Sequence, residues 1–229
     1  MSPLPATCLA EFVAKNRRSA MAILRPYKFK EAGEGHARIV YHPPLVSLIR
    51  KFYKSDKDLS LIDLAIASWE RKAEATESKS LRARLLSNAA AARLFRKRCL
   101  DKGLEILPKR TIACQIGQIV FTAPPDLWVK ENGEERLIKI GFGPKPRSYI
   151  DALLIVMRKA ALAHGHDIPA KNVVYLQAST GSELVSRYPY EAMALTLTAA
   201  AREIAETWAQ VKLKDGKTAT RSQAATASK

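Results

Sequence analysis

Residues 125–143 read PDLWVKENGEERLIKIGFG. A Pro-Asp pair enters a β-favouring run, Asn132-Gly133 supplies a two-residue turn of the kind that matches strand twist, and a second β-favouring run returns. The segment is expected to be a β-hairpin. Upstream, TIACQIGQIVFTA (111–123) reads as a further strand, which makes a three-stranded antiparallel meander. Downstream, SYIDALLIVMRKAALAHG (148–165) reads as a helix capped by Ser148 and closed by Gly165, KNVVYLQAST (171–180) as a short apolar strand of the buried kind, and PYEAMALTLTAAAREIAETWAQV (189–211) as a long closing helix.

Before the meander the period is helical. SKSLRARLLSNAAAARLFRKRCLDKG (78–103) has a serine start, strong helix formers and a glycine stop at Gly103. Leu45 to Lys54 and Leu59 to Ala75 carry apolar residues at amphipathic spacing. Nearer the N-terminus, AILRPYKF (22–29) and ARIVYHPP (37–44) flank KEAGEGH and read as a hairpin. The expected fold is α/β (α+β): a mixed sheet made of the meander plus one further strand, flanked by helices, with a mainly helical basic N-terminal region. The expected organisation is a basic region over 1–79, a core over 80–210 and a disordered basic tail over 211–229.

Of 229 residues, 47% are hydrophobic and 26% charged, which excludes a disordered or fibrous chain. The unusual quantity is charge: 38 Lys and Arg against 22 Asp and Glu, a net of +16. Residues 1–110 hold 23 basic and 11 acidic side chains, residues 111–210 hold 10 of each, and residues 211–229 hold 5 and 1. An excess of that size predicts a polyanionic partner, nucleic acid above all; DNA is the expected form, although charge by itself does not separate DNA from RNA. Three cysteines, Cys8, Cys99 and Cys114, without a CxxC pair exclude a zinc ribbon and argue against a disulfide framework. The first twenty residues lack a signal-peptide pattern, and no eighteen apolar residues run uninterrupted, so a cytoplasmic location without membrane insertion is expected.

The order helix, three strands, helix, strand, helix from Ser80 onward, with Pro125-Asp126 entering one strand and Lys139 in the next, resembles the PD-(D/E)XK nuclease superfamily, its RecB-like and Cas4-like branches in particular. The resemblance implies a metal-dependent phosphodiesterase. In it two carboxylates hold Mg²⁺ at the phosphodiester and a lysine stabilises developing charge. Asp126 is then the principal metal ligand and Lys139 the electrostatic catalyst. The position two residues before the lysine, where the family has an acid, is Leu137. Glu135, on the same strand face about 7 Å further back, is the candidate second carboxylate, and Asp151 near the start of the next helix is the alternative. Helices of those branches carry a Gln and a Tyr, whereas this helix offers Tyr149, Asp151, Met157 and Arg158.

Phosphate contacts are expected from Arg82, Arg93, Arg96 and Lys97 on one helix, and from Lys145 and Arg147 in GFGPKPRS, beside a helix N-terminus. A rival reading is a non-enzymatic adaptor or self-associating protein with Phe52, Tyr53 and Trp69 as anchors for a protein partner.

Overall fold

The computed structural model describes residues 2–15, 19–29, 43–55, 57–99, 104–108, 110–141, 145–177 and 180–212. In chain order the elements are β1 (Leu4–Pro5), α1 (Ala6–Val13), α2 (Ala20–Lys28), α3 (Pro43–Lys54), α4 (Leu59–Ala75), α5 (Lys79–Cys99), β2 (Leu104–Ile106), β3 (Ala113–Ile116), β4 (Ile119–Thr122), β5 (Leu127–Glu131), β6 (Glu134–Gly141), α6 (Arg147–Ala163), a 3₁₀ turn (Ala170–Asn172), β7 (Val173–Gln177), β8 (Ser182–Val185) and α7 (Tyr190–Trp208).

The fold is α/β with mixed sheets. Asn132 and Gly133 both adopt positive φ, 51° and 86°, and close β5 onto β6 with Glu131 opposite Glu134. Five strands follow the order β2-β5-β6-β7-β8, antiparallel except for β6 beside β7. A parallel neighbour needs a crossover, and α6 provides it. The pleat sends Trp128, Leu137, Val173 and Tyr175 into one core and Leu127, Val129, Ile138 and Ile140 into the other. The first core is completed by α1, α2, α6 and α7, the second by α3, α4 and α5. Residues before position 79 therefore contribute to both faces of the sheet.

Helices α3, α4 and α5 form where the apolar spacing predicts them. Asp58 accepts from the Ser60 amide at 2.9 Å to start α4, and Ser78 Oγ accepts from the Leu81 amide at 3.3 Å to start α5. Gly103 lies outside the described residues. Phe52 is buried edge-to-face against Phe95, with ring centroids 5.7 Å apart, and Trp69 packs half-buried on the same core. These two aromatics hold the helical layer together; the Tyr53 side chain lies outside the described residues.

Three expectations are corrected. First, AILRPYKF is not a strand but most of α2, because the residues that meet the core, Ala20, Ile23, Leu24 and Tyr27, recur at helical spacing and Ser19 Oγ accepts from the Ala22 amide at 3.2 Å. Its expected partner, ARIVYHPP, lies largely outside the described residues, and Pro43 and Pro44 open α3. Second, residues 111–123 are not one strand of the meander. They form a hairpin in a separate sheet, order β1-β4-β3, and the first strand of the antiparallel trio is β2. Burial changes parity across the turn, from Ile112, Cys114 and Ile116 to Ile119, Phe121 and Ala123, and Gly117 sits at φ 58° in the first turn position. Third, Ser148 does not cap α6: the helix begins at Arg147 with Pro146 in the cap position and no side-chain cap bond.

Val211, assigned to the tail, is buried in the first core, while residues 213–229 lie outside the described ones. Cys8 and Cys114 are buried free thiols, and burial pushes the Cys114 thiol up to about 11. No described helix is long and apolar enough to cross a membrane.

The hairpin at Gly117 predicts a sign. A valine would strengthen a continuous strand, but at this positive φ Gly117→Val should destabilise the protein by about 1 to 2 kcal/mol, read from urea denaturation.

Candidate functional site

Pro125 ends the connection from β4, and the Asp126 amide donates to the Ile138 carbonyl at 2.9 Å, just ahead of the first paired residue of β5. Leu127 lies opposite Ile138, Lys139 follows on the face of Leu137, and the Asp126 side chain reaches Lys139 from just ahead of the paired residues. The carboxylate is doubly satisfied. Lys139 Nζ donates to Oδ1 at 3.0 Å and the Ile140 amide donates to Oδ2 at 2.9 Å. From the opposite layer, the Arg50 guanidinium of α3 donates to the Asp126 carbonyl at 2.7 Å, which ties the basic helices to the start of β5.

Two buried tyrosines lie beside this pair. Tyr175 is the β7 neighbour of Lys139, and Tyr149 comes from the first turn of α6. Burial, reinforced by the negative charge of Asp126, pushes the Tyr175 phenol up to about 12. Burial raises Tyr149 further, with Tyr175 and other neighbouring anions adding to it. The Tyr175 ring crosses over Gly141, where a Cβ would run into its hydroxyl and ring carbons. Glycine is thus required at the end of β6 by close approach rather than by a turn.

The other two candidate carboxylates stand apart from Asp126. Glu135 shares its strand face but accepts from Trp128 Nε1 at 2.9 Å and lies 3.7 Å from His166 Nδ1. Leu137 intervenes, fully buried. Asp151 is also fully buried, and it accepts from Arg187 three times: Nε at 3.0 Å, a terminal nitrogen at 2.8 Å and the backbone amide at 3.1 Å. Arg147 Nε adds a fourth contact at 3.3 Å. Among the described residues, no group of three or more His, Cys, Asp or Glu could hold a metal. Mg²⁺ takes near-octahedral oxygen ligands, and here a single carboxylate faces an ammonium instead of a second acid. The residues present do not fit Mg²⁺.

Among the described residues, the expected phosphate contacts have internal partners, with one exception. Arg82 donates to the carbonyls of Ala73 at 3.0 Å and Thr76 at 3.1 Å, closing the end of α4. Arg93 pairs with Glu70, and Arg96 with Asp63 at 3.1 Å, so α4 acids face α5 arginines. Arg147 donates to the Val185 carbonyl as well as meeting Asp151. Lys145 stands 4.8 Å from the centre of the Tyr149 ring. Lys97 is exposed, as are Lys51 and Lys54, three residues apart at the end of α3, and Lys57 just after it.

Sequence reasoning missed Tyr175, Gly141, Arg50 and Arg187. Tyr175 lay in a strand that was recognised, and counting its parity against Lys139 would have found it once the parallel pairing was known. Arg50 and Arg187 act from 76 and 36 residues away and left no local signal.

Two outcomes follow from the tyrosine pocket. The folded state keeps a proton on Tyr175 that the unfolded chain releases near pH 10. This stabilisation is complete below about pH 10 and is lost as pH rises through about 12, an effect of about 2 to 3 kcal/mol for a rise from 10 to about 12. Urea midpoints measured from pH 8 to 12 should show the fall, and Tyr175→Phe should make it shallower by that residue's share, leaving the share of Tyr149. Gly141→Ala should cost about 1 to 3 kcal/mol by overpacking, and less than that in a Tyr175→Val background, where the ring is gone.

No protein-family model, curated protein or solved structure matches this chain.

Proposed function

We propose that this chain binds nucleic acid, with DNA the first candidate, through its basic helical layer, and that it does not hydrolyse it. One observation carries the reading. The Lys139 ammonium lies 3.0 Å from Asp126 Oδ1, so the charge that a nuclease of the resembled type would give to Mg²⁺ comes here from a side chain. An ammonium supplies one positive charge and no coordination sites for water or phosphate, so the pair supports the fold without supplying a hydrolytic centre.

Two further features support the proposal. The succession α5, β2, β5, β6, α6, β7, with β2-β5-β6 antiparallel and β7 parallel to β6, matches the order expected from the resemblance once β2 replaces residues 111–123. Residues 43–99 carry 13 basic and 6 acidic side chains, a net of +7, and form one continuous layer on one face of the sheet. Because Arg82, Arg93 and Arg96 have partners within the layer, the contacts to phosphate fall first to the exposed lysines Lys51, Lys54, Lys57 and Lys97.

Labelled DNA and RNA incubated with Mg²⁺, Mn²⁺ or EDTA should be bound and stay intact in all three, with divalent ions weakening binding only as competing counterions. Metal-dependent cleavage that disappears in Asp126→Ala would sink the proposal. Combined Lys51→Glu, Lys54→Glu and Lys57→Glu substitution should flatten the dependence of log affinity on log salt by about 0.9 for each phosphate that is no longer neutralised. An unchanged slope would place the interface elsewhere. In thermal melts the native protein should be indifferent to Mn²⁺, whereas Lys139→Glu, which opposes two carboxylates, should melt lower in EDTA and recover with Mn²⁺.

A further inference from the structure

A concavity of about 290 Å³ lies between α6 and the segment joining β8 to α7. It approaches the ~300–1,000 Å³ typical of small-molecule sites. Its floor is apolar, with Leu154 and Val173, and its rim carries Arg158, Lys159, Tyr188 and Glu191. Two cations against one carboxylate leave it net positive.

The wall formed by residues 186–190 is held in place from below. The buried Asp151 carboxylate grips the Arg187 side chain and amide, and Ser186 Oγ both donates to the Tyr188 carbonyl at 2.9 Å and accepts from its amide at 3.3 Å. The Arg187 guanidinium carbon in turn stands 5.2 Å from the Tyr188 ring centre, while Tyr188 remains 46% exposed. The ring therefore has a fixed cation beside it and much of its surface accessible. Across the groove, Arg158 Nε donates to the Ile168 carbonyl at 3.0 Å, and its terminal nitrogen lies 4.0 Å from the exposed Asp167. Lys159 Nζ sits 4.0 Å from the Tyr190 ring centre. A preset aromatic face and two cations thus line one small concavity.

We propose that this groove takes one nucleotide of a single-stranded nucleic acid, with the base stacked on Tyr188 and the phosphate at Arg158 and Lys159. The proposal rests on the reading that the chain binds nucleic acid, and it adds strandedness and a place. A base–aromatic stack needs an unstacked base, which a single strand offers and an intact duplex does not. Asp151 is then a positioning residue for the base-binding wall.

The test is fluorescence anisotropy on the full-length protein, with a labelled 20-nucleotide DNA single strand and the duplex of the same sequence. Tyr188→Ala and Lys159→Glu should each weaken single-strand binding by about tenfold and change duplex binding less than about twofold, and Tyr188→Phe should bind the single strand normally. Melting temperatures identify any variant that has lost its fold, and Tyr188→Phe keeps the test informative in that case. If groove variants leave the single strand unaffected while the Lys51, Lys54 and Lys57 substitutions weaken both probes, the groove proposal is wrong and the nucleic-acid reading stands. Equal weakening of both probes by groove variants also overturns it, as does stronger displacement by an acidic tyrosine-containing peptide than by oligonucleotide. If the native protein binds neither probe, both readings fall together.

Discussion

The pairing register of β5 with β6 governs the rest of the molecule. Asn132 and Gly133, both at positive φ, close the turn so that Leu127 meets Ile138 and Trp128 meets Leu137. A slip of β6 by one residue against β5 would exchange the two faces of β6, moving Leu137 out of one core and Ile138 and Ile140 out of the other. Because the sheet is covered on both sides, neither face would tolerate that exchange. The same pairing brings the start of β5 beside Lys139, where Asp126 meets the ammonium at 3.0 Å.

That pair shows how a carboxylate at the entry to a strand is held by an ammonium and a backbone amide rather than facing a second acid. Asp126 accepts from Lys139 and from the Ile140 amide, which leaves a carboxylate neutralised and satisfied at the sheet surface. The surrounding groups are arranged to suit it: Tyr175 and Tyr149 stay protonated beside it, and Gly141 clears room for the Tyr175 ring. Each remaining carboxylate has an equally local duty. Glu135 orients the Trp128 indole, and Asp151, with no exposure at all, is compensated by Arg187 and Arg147. A buried charge is tolerated only with such compensation.

The net charge divides in a similar way. Two of the five arginines of α5, Arg93 and Arg96, are matched by Glu70 and Asp63 of α4, spaced seven residues apart on the facing helix, and so stitch the layer together. Exposed pairs of this kind contribute little individually. The excess that remains is lysine-rich and exposed, which suits contacts to a flexible polyanion better than the fixed geometry of arginine pairs would.

Periodicity and turn chemistry determined much of the fold from the sequence alone. Asn132-Gly133, the helical spacing in 43–99, and the order of α6, β7 and α7 depend on interactions within a few residues of each other, which is why they were legible. Where local signals conflicted, tertiary burial decided: Ala20–Lys28 became helical because four residues at helical spacing had a core to meet, and residues 111–123 folded on themselves because both halves could be buried only with a change of parity at Gly117. The candidate site was legible as far as Asp126 and Lys139 sharing a hairpin. Whether its acids converge was settled only by the assembled fold, through Arg187, Arg50 and Tyr175, because electrostatic and packing partners distant in the chain leave no trace in local sequence.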